Sequence, residues 1–108
     1  MTSTAPAIER SSAAQLCRAL ADETRIKVIE LLASGEQCVC DIQASLGISQ
    51  SLLSFHLRVL RDAQIVSDRR SGRWAFYSLR REGLQALEDL AELMRSRAER
   101  ASSAASCI

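Results

Sequence analysis

Ser49-Gln50-Ser51-Leu52-Leu53-Ser54-Phe55-His56-Leu57-Arg58-Val59-Leu60-Arg61 has two faces when wound at helical spacing. Leu53, Leu57 and Leu60 stand at i, i+4 and i+7, the stripe a helix turns toward a core. Ser51, Ser54, Arg58 and Arg61 share another face, and every one carries a hydrogen-bond donor. Ser49 is placed to cap the first turn by accepting a bond from an orphan backbone N–H. Just upstream, a short helical pattern ends at Leu46-Gly47, with Ile48 and Ser49 as the turn. A short helix, a tight glycine-containing turn and a longer donor-rich helix together read as a helix-turn-helix. An ordinary amphipathic surface helix meets the same periodicity, so the flanking chain has to decide.

Downstream, the period changes. Ile65-Val66 and the run Trp74 to Leu79 are rich in β-branched and aromatic residues, and Ser71-Gly72 between them suits a tight hairpin turn. Arg69, Arg70 and Arg73 cluster at the tip, which makes the hairpin a wing able to reach phosphates beside the helix-turn-helix. Upstream, Ala13, Leu16, Cys17 and Leu20 share one helical face, which makes Cys17 a small core residue. Asp22 is a good N-cap for a second helix with Ile26, Ile29 and Leu32 as its buried stripe, stopped by Ser34-Gly35. A third helix is expected over Gln37 to Leu46, with Val39, Ile42 and Leu46 inward.

From about Glu82 to Arg100 a last helix carries Leu84, Leu87, Ala91, Met94 and Ala98 at alternating spacings of three and four, a heptad seam. Leu90 and Leu93 widen that stripe beyond the needs of one small core, so the seam is expected to pack on its counterpart in a second chain. The fold class is therefore mainly α with a small β-hairpin wing, a winged helix-turn-helix dimeric through its terminal helices, 82–100 and the first helix. The domain boundaries are a flexible arm over 1–10, one domain over 11–100 and a flexible tail over 101–108.

At 108 residues, 47% hydrophobic and 25% charged, the chain is one soluble-type domain with a single modest core. Its net charge of +1 hides an uneven distribution. Half of the 14 Lys+Arg lie between Arg58 and Arg81 against only Asp62 and Asp68, and acidic residues outnumber basic ones elsewhere. A basic zone on an otherwise acidic chain is a footprint for phosphate backbones. With no apolar leader pattern and no window of membrane-spanning length, the reading is cytoplasmic, without a membrane partner. In a reducing compartment the four cysteines, Cys17, Cys38, Cys40 and Cys107, are better read as ligands or buried thiols than as disulfides.

Several motifs occur together and in order: Leu20-Ala21-Asp22-Glu23-Thr24-Arg25-Ile26, Cys38-Val39-Cys40-Asp41-Ile42, Ser49-Gln50 with Ser54-Phe55-His56-Leu57, and Gly72-Arg73-Trp74 with Tyr77-Ser78-Leu79. Over roughly residues 13 to 95 this resembles the ArsR/SmtB family of metal-sensing repressors. The resemblance implies a homodimeric winged helix-turn-helix that represses an operator and leaves it when metal binds. The Cys-Val-Cys-Asp motif is similar to the thiol site of arsenite/antimonite-responsive members and to that of cadmium/lead-responsive members. Two positions depart from the pattern: Gln43 stands where arsenite-type sequences often have a third cysteine, and Gln64 where a glycine is usual. The family's other sensory site needs histidines on the last helix, and His56 is the chain's one histidine, so zinc sensing there is set aside.

On these grounds Cys38 and Cys40 are the candidate ligands for As(III) or Sb(III) as inducer, with Cys107, less favourably Cys17, or else a small thiol or water as third donor. No resident cofactor is required. Thiolates are soft donors and select thiophilic ions over magnesium or calcium. On an ideal helix, positions i and i+2 point roughly 200° apart. The pair can therefore chelate one ion only if Cys38 sits in a non-helical cap or the first turn unwinds. Unwinding would tilt the recognition helix out of register with the groove, and a helix N-terminus would lower the thiol pKa. For double-stranded DNA, Gln50, Ser51, Ser54 and Arg58 are the candidate groove contacts; His56, beside the apolar stripe, reads as a packed or capping residue with a secondary DNA role at most. Arg69, Arg70 and Arg73 are the candidate phosphate contacts. A dimer implies an inverted-repeat operator with half-sites about one helical turn, or a multiple, apart. Four alternatives remain at this level: cadmium/lead sensing at the same site, a redox or polysulfide switch, a constitutive architectural DNA binder, and a small thiol oxidoreductase. The last lacks a Cys-x-x-Cys on a βαβ scaffold, and the reading is not an enzyme.

Overall fold

The computed structural model describes residues 10–104, which form five helices and three strands. The order is α1 (Arg10–Leu20), α2 (Glu23–Leu32), β1 (Gln37–Cys38), α3 (Val39–Leu46), α4 (Gln50–Asp62), β2 (Val66–Ser71), β3 (Trp74–Leu79) and α5 (Arg81–Ala104). Met1 to Glu9, most of the expected arm, and Cys107 lie outside the described residues. The last helix runs to Ala104, so the first part of the expected 101–108 tail continues α5.

Local signals place the helix starts. Asp22 caps α2 by accepting the Arg25 amide at 3.1 Å, and Ser49 caps α4 by accepting the Leu52 amide at 3.2 Å. Gly47 ends α3 in the left-handed region at φ 64°, ψ 34°, and its amide bonds the Gln43 carbonyl at 2.8 Å. The Gln43 side chain also donates to the Ile48 carbonyl at 3.2 Å, which ties the turn between α3 and α4 to the helix before it.

The core is one cluster. Leu53, Leu57 and Leu60 of α4 are buried against Val28 and Leu32 of α2, Ile42 of α3, Leu16 and Ala19 of α1, and Ile65, Val66 and Tyr77 from the wing. Each such leucine contributes roughly 1.5–3 kcal/mol by leaving water. Two expected stripes are rotated. In α2 the buried pair is Val28 and Leu32, while Ile26 is 39% exposed. At about 100° per residue, Val28 and Leu32 lie within ~40° of each other, whereas Ile26 and Leu32 are ~120° apart. In α1 the buried pair is Leu16 and Ala19, and Cys17 is exposed, since it points about 100° away from Leu16 and further from Ala19. Cys17 is therefore not a core residue of this chain.

A further correction concerns Gln37 and Cys38. They do not open the third helix but form β1, which pairs antiparallel with β3 in the register Gln37↔Tyr77 and Cys38↔Phe76. The wing is thus the outer part of a three-stranded sheet in the order β1-β3-β2. Ser71 pairs with Trp74, so the turn residues are Gly72-Arg73, one step later than expected. Gly72 has φ 61°, the positive value that the first central position of a hairpin turn with the strands' own twist requires.

Along α5 the seam is open. Leu84, Ala91, Met94 and Ala98 are exposed, Met94 at 62%, while Leu87 packs partly on the core. α1 packs against α5 within the chain. Among the described residues no helix is long and apolar enough to cross a membrane.

Candidate nucleic-acid interface and thiol pair

With its leucine stripe buried, α4 turns Gln50, Ser51, Ser54, Arg58 and Arg61 outward, and all five are exposed. His56 is not among them. It is 6% exposed, and its Nδ1 faces Arg25 Nη1 at 3.1 Å. A guanidinium has no acceptor lone pair, so the ring nitrogen accepts. His56 lies one position past the donor face, and the α1–α2 corner covers it. That placement removes it from the set of direct DNA contacts.

The wing arginines divide into two kinds. Arg69 is held by Glu36, with Nη2–Oε1 at 2.7 Å and Nε–Oε2 at 3.1 Å, and its guanidinium lies 4.6 Å from the centre of the Phe76 ring. This two-point bond holds the Glu36 carboxyl below the usual carboxylate range. Arg70 and Arg73 are exposed near the hairpin tip, with Arg73 over the Trp74 ring at 5.9 Å. Of the three candidate phosphate contacts, Arg69 is therefore already engaged within the protein. On α4, Arg61 is 3.7 Å from Asp68 of β2.

Cys38 is the N-cap of α3, extended at φ −71°, ψ 142°, and Cys40 lies in the first helical turn. The cap conformation satisfies the condition for chelation without any unwinding. The neighbouring Cys38 thiol holds the Cys40 thiol above its usual value, with desolvation as the second cause. The expected helix-terminus lowering is thus outweighed at Cys40. Of the two routes to chelation, a non-helical cap at Cys38 or an unwound first turn, the structure has the first. Cys38 is partly buried and Cys40 exposed.

The thiol pair and the donor face meet in one place. A cleft of about 580 Å³ between α3, α4 and the wing is lined by Cys38, Cys40, Gln50, Ser54, Arg58, Arg61, Arg70 and Arg73. Gln43, Trp74 and Tyr77 line it too; the last two belong to the wing motif but were not among the candidate site residues. Burial, followed by the nearby Asp68 charge, pushes the Tyr77 phenol up, so it stays a donor at neutral pH. The pairing of β1 with β3 brings Tyr77 to the thiols, and no local signal around either residue encodes it. Ser51 is exposed on α4 but does not line the cleft.

A recognition helix seated on a three-helix support and followed by a basic hairpin defines a winged helix-turn-helix, the architecture of DNA-binding regulators. Residues 22–68 match the bacterial regulatory protein, arsR family. Over 88 residues the chain is 36% identical to the arsenical resistance operon repressor of Bacillus subtilis (strain 168), covering 79% of this chain and 84% of that one. Over 81 residues it is 37% identical to the cadmium resistance transcriptional regulatory protein CadC homolog of Staphylococcus aureus, covering 74% of this chain and 67% of that one. Among solved structures, the homodimeric winged helix-turn-helix DNA-binding domain Mb0332 from Mycobacterium bovis is 28% identical, with a TM-score of 0.66 over 80% of each chain. The chain belongs to the ArsR family, and it is a transcriptional repressor of that family rather than an enzyme.

Proposed function

We propose that the chain is a metalloid-responsive repressor that binds an inverted-repeat operator as a homodimer and dissociates when As(III) or Sb(III) binds Cys38 and Cys40. The observation that carries this reading is the shared cleft: the thiol pair opens onto the surface lined by Gln50, Ser54, Arg58, Arg70 and Arg73. The donor set fits the ion, since two sulfurs on one cleft, at the cap and in the first turn of α3, suit a soft, thiophilic centre. Cys38 is tied to the wing by its pairing opposite Phe76, and Cys40 to α4 through the short α3 and the Gly47 turn. An ion bonded to both sulfurs therefore acts on both DNA-facing elements. Linkage requires that DNA weaken ion binding by the same factor. Gln50, Ser51, Ser54 and Arg58 are proposed to read the groove, and Arg70 and Arg73, with Arg69 once released from Glu36, to hold phosphates. The exposed α5 seam is the proposed dimer surface, in keeping with the homodimeric Mycobacterium bovis neighbour.

The test is fluorescence anisotropy on a labelled promoter fragment titrated with arsenite. Cys38→Ser and Cys40→Ser are expected to keep DNA binding and lose the response. If both variants still respond, the sensory assignment is wrong. Similarity to the CadC homolog supports a second reading, Cd(II) or Pb(II) at the same pair. Ultraviolet charge-transfer bands and the thiol count per ion separate the two, since a cadmium site favours a fourth thiolate where As(III) takes three donors.

A further inference from the structure

We infer that the third donor to As(III) at Cys38 and Cys40 is a small carboxylate-bearing thiol, held in the cleft by Arg58, Arg70 and Arg73. The inference rests on the reading of that cysteine pair as the metalloid site and goes on to name the ligand that completes it. Cys38 and Cys40 supply two sulfurs, and among the described residues no group of three or more His, Cys, Asp or Glu could hold an ion. What the pair does face is a cleft of about 580 Å³, within the range of small-ligand sites, whose lining among the described residues includes Arg58, Arg61, Arg70 and Arg73 and no carboxylate. Among the described residues, Arg61 has its carboxylate in Asp68, whereas Arg58, Arg70 and Arg73 have no ion pair. Three such cations around a soft-donor pair match a ligand with sulfur at one end and carboxylates at the other. Guanidinium–carboxylate bonds are directional and about twice as strong as neutral ones. Trp74, half exposed, and Tyr77 line the same cleft and add aromatic surface for the ligand's stem.

The exchange balances without a redox partner. As(OH)₃ loses its three As–O bonds and gains three As–S bonds, to Cys38, Cys40 and the small thiol. Each sulfur's proton leaves in one of three waters, and arsenic remains As(III). The arginines that hold the carboxylates are those proposed to hold DNA phosphates. Induction therefore includes direct competition for cations, besides any shift of α3 or α4.

The experiment uses the full chain without DNA. Arsenite is titrated by its ultraviolet As–S absorbance in the presence of mercaptosuccinate, 2-mercaptoethanol or cysteamine, which are anionic, neutral and cationic thiols. Native mass spectrometry reports what is bound. The expected result is a chain–arsenic–mercaptosuccinate species and an arsenite half-saturation about tenfold lower with mercaptosuccinate than with 2-mercaptoethanol. Cysteamine should be the weakest. In Arg70→Gln/Arg73→Gln the mercaptosuccinate advantage should shrink to about threefold or less, and comparing each thiol across the two proteins cancels its own affinity for arsenic. An equal response to all three thiols overturns the inference and leaves the cysteine-pair reading intact. So does arsenic bound with no added thiol in a complex that Cys107→Ser or Cys17→Ser abolishes. If Cys38→Ser binds arsenite as the native chain does, the reading of the pair fails, and this inference with it.

Discussion

Replacing Arg25 by methionine removes a three-way staple. The Arg25 side chain donates to the Ala19 carbonyl at 2.7 Å, the Arg18 carbonyl at 3.2 Å and His56 Nδ1 at 3.1 Å, joining the end of α1 and the start of α2 to the middle of α4. The bond to Arg18 is exposed and contributes little, while the other two are partly buried. Hydrogen bonds from a charged donor contribute about 1.5–3 kcal/mol each, part of which is the cost of leaving the partner unsatisfied. Methionine keeps much of the apolar stem packing, so the net loss should be about 3 kcal/mol. A domain stable by roughly 5–15 kcal/mol survives that, with Tm lowered by roughly 10–20 °C. Operator affinity should fall as well, because α4 loses the contact that sets its tilt against the α1–α2 corner. Circular-dichroism melting and operator anisotropy measure the two effects. The companion variant Arg25→Met/His56→Leu replaces both partners by apolar groups and should recover at least about 1 kcal/mol relative to the sum of the single variants. A single variant melting within about 3 °C of the native chain, or a double variant that is simply additive, would refute the staple.

Three further perturbations probe the same scaffold. Gly83→Ala would place a Cβ 2.1 Å from the Gln64 carbonyl oxygen and 2.9 Å from Ile65 Cα, so α5 must move off the turn after α4. Its expected cost is about 3 kcal/mol or more, read by thermal melting; an unchanged Tm would show that α5 sits differently. Gln64 itself has φ 67°, where a side chain is strained, so Gln64→Gly should raise stability by about 0.5–1 kcal/mol in urea unfolding, and a loss would count against that geometry. The lowered Glu36 carboxyl means that its bond to Arg69 is present above the ordinary carboxylate pKa and is lost as pH falls through the lowered folded value. Glu36→Gln should do the same at neutral pH, freeing Arg69 for phosphate. Operator affinity is then expected to rise a few-fold and the salt dependence to steepen by about one unit, and an unchanged salt slope would show that Arg69 stays on Phe76.

Local chemistry was enough to read the helix-turn-helix. Asp22 and Ser49 cap the helices they were expected to cap, Gly47 takes the left-handed position, and Leu53, Leu57 and Leu60 are buried. Each of these depends on side chains within one or two helical turns of one another, where spacing alone sets geometry. The donor face of α4 followed from the same periodicity. His56, given at most a secondary DNA role, packs beside that face, and which way it turns depends on a partner 31 residues earlier.

The residue types at the site, then, were determined by the sequence alone: a Cys-Val-Cys pair, a donor-rich helix and an arginine-tipped hairpin, each a short-range pattern with its own period. Their convergence was decided by tertiary structure. β1 is two residues long and exists because β3, far along the chain, supplies its hydrogen bonds; that pairing turns Cys38 into an extended cap beside Cys40. Glu36 reaches Arg69 across 33 positions, and Arg25 reaches His56 across 31. Contacts of that separation are selected by packing and by the need to satisfy buried polar groups, and no local periodicity records them.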